Sequence, residues 1–387
     1  MIVFPGDRRA SATTAMAMAS LACILPRAAL AQNASSVPVY HITRAESALQ
    51  TRRVKLIEWG FDQSTPAGLR SSLSAMEKTP FDGVVLAAYG LDSNGKPLDL
   101  AWKCWSKEPF TRDQFSAAVR DLKAVHSNRL TDNFLRINVT PGDVDWFDDA
   151  GWSSICSKAA IASWLCSEGG LKGIMFDTEE YDAKHRIFYY QEQPGHEHKA
   201  FEAFRDQARK RGREFGAALC SVKADPTILF TYADAYHVLL ENAPPPWSAL
   251  GLLPAFIDGM LEGAPATAHF VDALEEAYGA KDSATLAKLK QGVKDGRKMS
   301  AIPSVYSSRM TAGFGLWIDK PLPGGAWNPA TPASNYFQPE PFGIALREAL
   351  KQSDGYVWIY SEKINWWTGA GISDAYIQAI QQAKASH

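Results

Sequence analysis

The most concentrated set of groups that could do chemistry in this sequence is the run Asp177-Thr178-Glu179. It directly follows the apolar segment 173–176, which is typical of a strand buried on both faces. Because side chains alternate along an extended backbone, Asp177 and Glu179 are expected on the same side. Two carboxyl groups held close together in a partly dry site do not both ionise easily, so one can serve as an acid and the other as an anion. Hydrolysis of a glycosidic bond needs this division of labour.

Further carboxylates and aromatic side chains follow other apolar segments. Glu362 comes after the segment 356–360 and is expected to assist catalysis, with Glu179 as the general acid and Asp177 as the charge-stabilising or nucleophilic carboxylate. Tryptophan faces stack on the C–H face of a sugar ring, so the tryptophans near the strand ends favour a carbohydrate, with Trp366 and Trp367 on the rim. The residues expected to bind substrate are Glu58, Trp59, Asp62, Tyr181, His196, Asp258, Glu262, Trp317, Asp319, Trp366 and Trp367.

The elements that must position these residues form an alternating pattern. Apolar segments predict eight strands, each followed by a stretch with helical character, at 54–59, 83–88, 134–139, 173–177, 227–232, 255–260, 313–318 and 355–360. Residues 268–278 are among the predicted helices. Strict alternation implies a parallel sheet, and a count of eight predicts an α/β protein with a single-domain (β/α)₈ TIM barrel. The alternative is a doubly wound open sheet, although no Gly-rich phosphate loop follows the first strand.

The amino-terminal residues are typical of an export signal. Arg8 and Arg9 precede the apolar stretch 15–25, and Ala29-Leu30-Ala31 supplies a small-x-small cleavage site. The expected organisation is therefore a signal peptide at 1–31, a leader segment at 32–53 and a barrel domain at 54–387. The expected location is the periplasm or the extracellular space.

Composition limits the partners that the chain can have. The formal net charge is −2, so no global field recruits nucleic acid or an anionic membrane. Beyond the signal, no apolar run reaches the roughly 18 residues of a membrane span. An even number of cysteines remains after the signal and permits disulfides, for which Cys104–Cys156 and Cys166–Cys220 are the favoured pairs and free thiols the alternative. The sequence does not define an oligomeric state.

Two other kinds of chemistry have weaker signals. His185, His196 and His198 lie close in sequence to the acidic run and could bind a metal, but their spacing matches no strong zinc signature. Serine catalysis lacks the Gly-x-Ser-x-Gly motif. The prediction therefore includes no metal and no cofactor.

Several stretches together resemble a known group of proteins. They are Leu56-Ile57-Glu58-Trp59-Gly60 and the segments 76–83, 176–179 and 354–362. These stretches resemble exported bacterial proteins with a glycoside-hydrolase-like (β/α)₈ barrel and largely unassigned substrates. The resemblance spans about 54 to 384 and implies a barrel and carbohydrate chemistry, without a catalytic assignment for individual residues. The run 174–179 has only the last acidic pair of the chitinase-type Asp-x-x-Asp-x-Asp-x-Glu pattern, so N-acetyl-assisted catalysis is not inferred.

The resulting hypothesis is an exported glycoside hydrolase that cleaves a poly- or oligosaccharide by carboxylate catalysis. One alternative is a catalytically silent carbohydrate-binding barrel. A second is a metal-dependent hydrolase or lyase that uses the region of His196. The sequence leaves open the sugar, the linkage, endo or exo action, and the stereochemical outcome.

Overall fold

The computed structural model describes residues 53–181, 186–241 and 243–386. The predicted signal peptide and the leader up to residue 52 lie outside the described residues. The strands are β1 (Lys55–Gly60), β2 (Gly83–Leu86), β3 (Tyr89–Leu91), β4 (Pro97–Asp99), β5 (Phe134–Asn138), β6 (Gly173–Asp177), β7 (Thr227–Phe230), β8 (His269–Asp272), β9 (Met310–Ala312), β10 (Phe314–Trp317) and β11 (Tyr356–Ser361).

Helices follow the strands throughout the described chain. They are α1 (Pro66–Met76), α2 (Leu100–Lys103), α3 (Ser116–Lys123), α4 (Asp149–Glu168), α5 (Phe201–Leu219), α6 (Ala235–Leu239), α7 (Leu253–Gly263), α8 (Ser283–Asp295), α9 (Pro303–Arg309), α10 (Pro339–Gln352) and α11 (Asp374–Ala385). Side-chain caps mark several starts, because the side chains of Thr65, Asp148 and Asp282 accept hydrogen bonds from backbone amides in the first turns of α1, α4 and α8.

The main sheet closes on itself. Its order is β10-β11-β1-β2-β5-β6-β7-β8-β9, and its neighbouring strands pair in parallel. β9 and β10 are two halves of one segment on either side of Gly313, and the first half pairs with β8 while the second pairs with β11. A side chain at Gly313 would place its Cβ 2.9 Å from the Tyr356 carbonyl oxygen. With β9 and β10 sharing one position, the sheet has eight positions, which confirms the predicted (β/α)₈ barrel.

Alternation along the strands separates two apolar regions. Residues such as Ile57, Met175 and Trp358 fill the barrel interior. Their neighbours, such as Leu56 and Ile174, pack beneath the surrounding helices. Because the strands are buried on both faces, they are continuous apolar runs in the sequence, and this is why most of them could be predicted.

Two elements in the second half differ from the prediction. Residues 255–260, predicted as a strand, lie in helix α7, and the sixth barrel strand is β8, inside a segment predicted as helix. Nine of the eleven residues of α7 are buried. A Cβ on Gly212 would stand 2.0 Å from the Phe256 carbonyl oxygen, so α5 and α7 are in close backbone contact. A helix buried on all sides lacks the polar face that gives the 3.6-residue period, and its sequence then looks like a buried strand.

The described cysteines are free thiols. Neither the predicted Cys104–Cys156 bond nor the Cys166–Cys220 bond is present. Burial raises the pKa of all four thiols to about 12, so they remain protonated and unreactive at neutral pH. Within the described ranges, no helix is both long enough and apolar enough to cross a membrane.

Candidate active site

A cavity of about 480 Å³ lies at the carboxyl ends of the barrel strands, where this fold places active sites. We call it the mouth cavity, and its wall consists of Trp59, Gly60, Phe61, Gln63, Ala87, Tyr89, Trp102, Arg136, Glu179, Tyr181, Glu275, Tyr278 and Tyr360. Another cavity of about 480 Å³ lies near Met310 and Asp354, at the amino ends of the strands, and one of about 440 Å³ lies between outer helices. The mouth cavity alone among these three contains Glu179, a predicted catalytic residue.

The floor of the mouth cavity contains an ion pair between adjacent strands. Asp177, the last residue of β6, is fully buried, and the guanidinium of Arg136 on β5 donates to its Oδ2. The same guanidinium lies over the rings of Trp102, at 4.7 Å, and Trp59, at 5.4 Å. Burial raises the pKa of Asp177, and the charge of Arg136 opposes that shift.

The segment that carries Glu179 is held by hydrogen bonds. The side-chain amide of Asn138 donates to the carbonyl oxygens of Asp177, at 3.3 Å, and Glu179, at 3.1 Å. Thr178 faces the other way, and its hydroxyl donates to the Tyr232 carbonyl oxygen. Asp177 and Glu179 therefore face the same side of the segment, as alternation predicts.

The carboxylate of Glu179 contacts both a donor and a like charge. The hydroxyl of Tyr181 donates to its Oε2. Burial and the nearby charge of Asp177 raise the pKa of Glu179, whereas the hydrogen bond from Tyr181 lowers it. The hydrogen bond from Tyr181 thus stabilises the anionic form of Glu179, and burial destabilises that form.

Glu275 is a third acidic residue at the mouth cavity. It is not among the site residues that the sequence predicts. It follows β8, and its backbone amide donates to the Thr231 carbonyl oxygen at 3.2 Å. The preceding Leu274 has a φ of 40°, a strained conformation for a branched side chain. Burial and the charges of Glu179 and Asp177 raise the pKa of Glu275 to about 9, so this carboxyl group is protonated at neutral pH.

The sequence pattern misses Glu275 because residues 268–278 were predicted to be helical. The signal that could have located it is short: the apolar pair Phe270-Val271 precedes the acidic residues Asp272, Glu275 and Glu276. We call Asp177, Glu179 and Glu275 the mouth cluster. The cluster can supply a protonated carboxyl group and an anionic carboxylate to the same bound molecule.

Aromatic side chains surround the mouth cluster. Trp102 contacts Tyr181, with ring centroids 5.2 Å apart, and Tyr278 stacks on Tyr360 at 5.1 Å. Phe61 on the rim is 70% exposed. Ring faces of this kind can pack against the C–H face of a sugar while its hydroxyl groups reach the carboxylates.

Several predicted residues lie in or beside the mouth cavity. Trp59, Glu179 and Tyr181 form part of its wall, with Asp177 on its floor. Trp317 makes an edge contact with Tyr360, and the hydroxyl of Tyr360 donates to Glu362 Oε1 at 3.4 Å. Trp317 and Glu362 thus contact the wall residue Tyr360 but are not part of the wall themselves.

Three predicted acidic residues occupy supporting positions. Glu58 alternates with the interior residues of β1 and faces away from the barrel interior, and burial with the nearby charge of Asp62 raises its pKa. Asp62 Oδ2 accepts a hydrogen bond from the backbone amide of Trp366 at 2.7 Å. Asp319 accepts hydrogen bonds from the backbone amides of Glu362 and Lys363. Asp62 and Asp319 therefore stabilise loops beside the cavity.

Asp258 and Glu262 require a correction, because they lie on helix α7 and not after a strand. Asp258 accepts a hydrogen bond from the backbone amide of Ala301 at 2.7 Å. Glu262 pairs with Arg209 and Arg213 of α5, and these interactions lower its pKa. Both residues belong to the contact surface of the outer helices.

Trp366 and Trp367 also differ from expectation. Trp366 is only 3% exposed, packs edge-to-face on Phe81 at 4.8 Å, and donates from its indole N–H to the Ser361 hydroxyl. Trp367 is half-buried against the same core. Trp366 is therefore a core residue and not part of a sugar-binding rim.

The histidine region lies outside the cavity wall. His196 Nδ1 is 2.9 Å from the Gln193 carbonyl oxygen, and its ring contacts Tyr190. His185 lies outside the described residues. Across the part of the chain that the structure describes, no three His, Cys, Asp or Glu side chains are arranged to hold a metal ion.

Comparison with known proteins identifies similar folds. No family model and no curated protein matches the sequence. Similar solved structures include a glycoside hydrolase family 5 enzyme from Prevotella bryantii B14, with a TM-score of 0.48 and 11% identity over 88% of this chain and 98% of that chain. A β-mannanase from the blue mussel Mytilus edulis has a TM-score of 0.45 and 11% identity over 86% and 92%.

A third similar structure has a different activity. A D-allulose 3-epimerase from Methylomonas sp. has a TM-score of 0.41 and 11% identity, covering 86% of this chain and 98% of its own. The similarity of these proteins to the chain concerns the barrel fold alone. The functional argument therefore depends on the residues of the mouth cavity.

Proposed function

We propose that this protein is a glycoside hydrolase that is exported and cleaves a poly- or oligosaccharide in the mouth cavity. The observation that carries the proposal is the pairing of Glu179 and Glu275 in one aromatic-walled cavity at the carboxyl ends of the barrel strands. Glycosidic bond cleavage requires one carboxylic acid to protonate the leaving oxygen and one carboxylate to attack carbon or activate water. Export is the part of the proposal that is based on the amino-terminal pattern alone.

The two roles follow from the environments of the carboxyl groups. In our proposal Glu275 is the general acid, because burial and two nearby carboxylates keep it protonated at neutral pH. Glu179 is the reacting carboxylate, since the Tyr181 hydroxyl stabilises its anion. This reverses the expectation from sequence, which assigns the acid role to Glu179 and does not include Glu275.

Asp177 and Arg136 have an electrostatic role in this proposal. Asp177 is fully buried beneath the cavity and paired with Arg136, so it reaches no substrate atom directly. Its negative charge raises the pKa values of both Glu179 and Glu275. A fixed charge at this position also stabilises the positive character that develops on the sugar ring in the transition state.

The test begins with a panel of neutral oligosaccharides and aryl glycosides, assayed for product release. Glu275→Gln should reduce kcat about 10²–10⁴-fold on natural glycans, and much less on aryl glycosides whose activated leaving groups need no proton. Glu179→Gln should reduce turnover of both substrate types. The opposite pattern would return the acid role to Glu179.

A matched control is Glu262→Gln, which changes a carboxylate on the outer helix α7 and should retain activity. Binding of glycans without any turnover by the wild-type protein would instead favour the catalytically silent carbohydrate-binding barrel. Loss of turnover on treatment with a chelator would favour the metal-dependent alternative.

A further inference from the structure

The mouth cavity has an unequal distribution of charge. Glu179 and Glu275 face it, and Asp177 lies beneath it. Among the described residues that form its wall, Arg136 is the one basic side chain. Two described lysines lie beside residues next to the cavity, Lys320 over Trp317 and Lys363 at 4.0 Å from Glu362, and neither belongs to the wall.

Arg136 is already paired with a carboxylate. Its guanidinium donates to Asp177 and lies against the rings of Trp59 and Trp102. Its Nε is enclosed, and the side chain as a whole is only 11% exposed. An arginine recognises a carboxylate or sulfate with a fork of two free N–H groups, and this one has committed its charge to Asp177.

We propose that the mouth cavity accepts glycans whose sugars are uncharged at the cleavage site and rejects glycans that carry carboxylate or sulfate groups there. This specificity rests on the proposed glycosidase function. A uronic acid or sulfated sugar would lie beside the Glu179 carboxylate, with no free cation among the described wall residues to pair with it, and it would lose its hydration on entry. One pair of like charges 4 Å apart in water weakens binding about fivefold, and the effect grows as water is excluded.

An uncharged sugar meets neither penalty. Its hydroxyl groups can donate to Glu179 and to the Tyr360 hydroxyl, while its ring packs against aromatic side chains such as Trp102. The Glu179 carboxylate in the wall therefore acts as a filter on substrate charge.

The experiment compares glycans that share a backbone and differ in charge. Glucan, mannan and galactan oligosaccharides are each tested as such and after oxidation of their primary hydroxyl groups to carboxylates. The readouts are kcat/KM and, for forms that are not hydrolysed, equilibrium binding by calorimetry at low salt. We expect the uncharged form of the preferred glycan to be favoured at least about tenfold, with a smaller ratio in about 0.5 M NaCl because salt screens the repulsion.

A pair of variants separates charge from size. Phe61 lies on the exposed rim, so Phe61→Lys and Phe61→Gln should both fold. Phe61→Lys should reduce the preference for the uncharged form about fivefold relative to Phe61→Gln, since it adds the missing cation. An identical preference in the two variants would overturn the explanation by charge.

The outcomes also separate this proposal from the proposed activity. Equal or better use of the oxidised glycans would overturn the charge filter while leaving hydrolysis intact. Selective binding of the uncharged forms without turnover would support the filter and contradict the glycosidase. If no form binds, both proposals fail.

Discussion

Two clusters of buried carboxyl groups lie near the end of β8. They differ in their hydrogen-bond partners, in their paired charges and in their access to a cavity. The mouth cluster faces the barrel opening. The second cluster, which we call the outer cluster, consists of Asp234, Asp272 and Glu276 and lies between the sheet and the helices. Glu275 and Glu276 are consecutive residues, yet one faces the mouth cavity and the other interacts with Asp272.

The outer cluster lacks the partners that the mouth cluster has. Within the described chain, both carboxylate oxygens of Asp234 and Glu276 and one of Asp272 are enclosed without a hydrogen-bond partner. Burial raises the pKa of Asp272 to about 7 and of Glu276 to about 8. These groups lie in no described cavity, and no described arginine or lysine pairs with them. Strongly raised pKa values alone therefore do not define an active site; access for a substrate and paired charges distinguish the mouth cluster.

The largest difference is expected in catalysis. Glu275→Gln should lower kcat on a natural glycan by about 10²–10⁴-fold, because it removes the proton donor. Glu276→Gln changes the neighbouring residue and should leave kcat within about threefold. Steady-state assays on the two variants, with circular dichroism to verify folding, measure the contrast. Equal losses in both variants would remove the distinction between the clusters.

The next difference concerns stability at pH 6. Asp177→Asn leaves the buried guanidinium of Arg136 without its carboxylate, which should cost about 3–5 kcal/mol of unfolding free energy. Asp272→Asn should cost less than about 1 kcal/mol, because Asp272 has a pKa of about 7 and is already mostly protonated. Urea unfolding monitored by tryptophan fluorescence gives both values. A large loss for Asp272→Asn would mean that its carboxylate has a cationic partner.

The third difference, spread over several pH units, is in the pH dependence of stability. The folded-state pKa of Glu276, about 8, exceeds its ordinary value of 4.5, so the folded protein holds a proton that the unfolded chain releases. That contribution is fully present below about pH 4.5 and is lost as the pH rises to about 8. Glu276→Gln should make this decline shallower by up to one proton, about 1.4 kcal/mol per pH unit. Melting temperatures from pH 5 to 9 test this, and an unchanged slope would contradict it.

The sequence predicts the barrel and two of the three residues of the mouth cluster for a definite reason. Strands such as β6 and β11 are buried on both faces and appear as continuous apolar runs, and Asp177 and Glu179 follow one of them directly. The eight-fold alternation then fixes the architecture, and the architecture fixes which ends of the strands face the cavity.

The remaining part depends on contacts that a linear pattern does not contain. β8 has only four residues and begins with an exposed histidine, whereas α7 is buried on nearly all sides. The sequence pattern therefore predicts a strand where α7 lies and a helix where β8 lies, and it does not place Glu275 after a strand. The tryptophans show the same limit. Trp102 lines the cavity while Trp366 is buried beside Phe81, although both follow strands in the sequence.

The pairing of β1 with β11 has a consequence for biosynthesis. Six residues of each strand pair, from Lys55 with Tyr356 to Gly60 with Ser361, and this joins opposite ends of the described chain. During translation, β1 and β10 each retain an unpaired edge until β11 leaves the ribosome, and such edges invite association with other chains. A nascent chain that stopped at Asp354 would contain every residue of the mouth cluster but no closed wall to hold them. The chain is therefore most exposed to association with other chains until β11 pairs with β1 and β10.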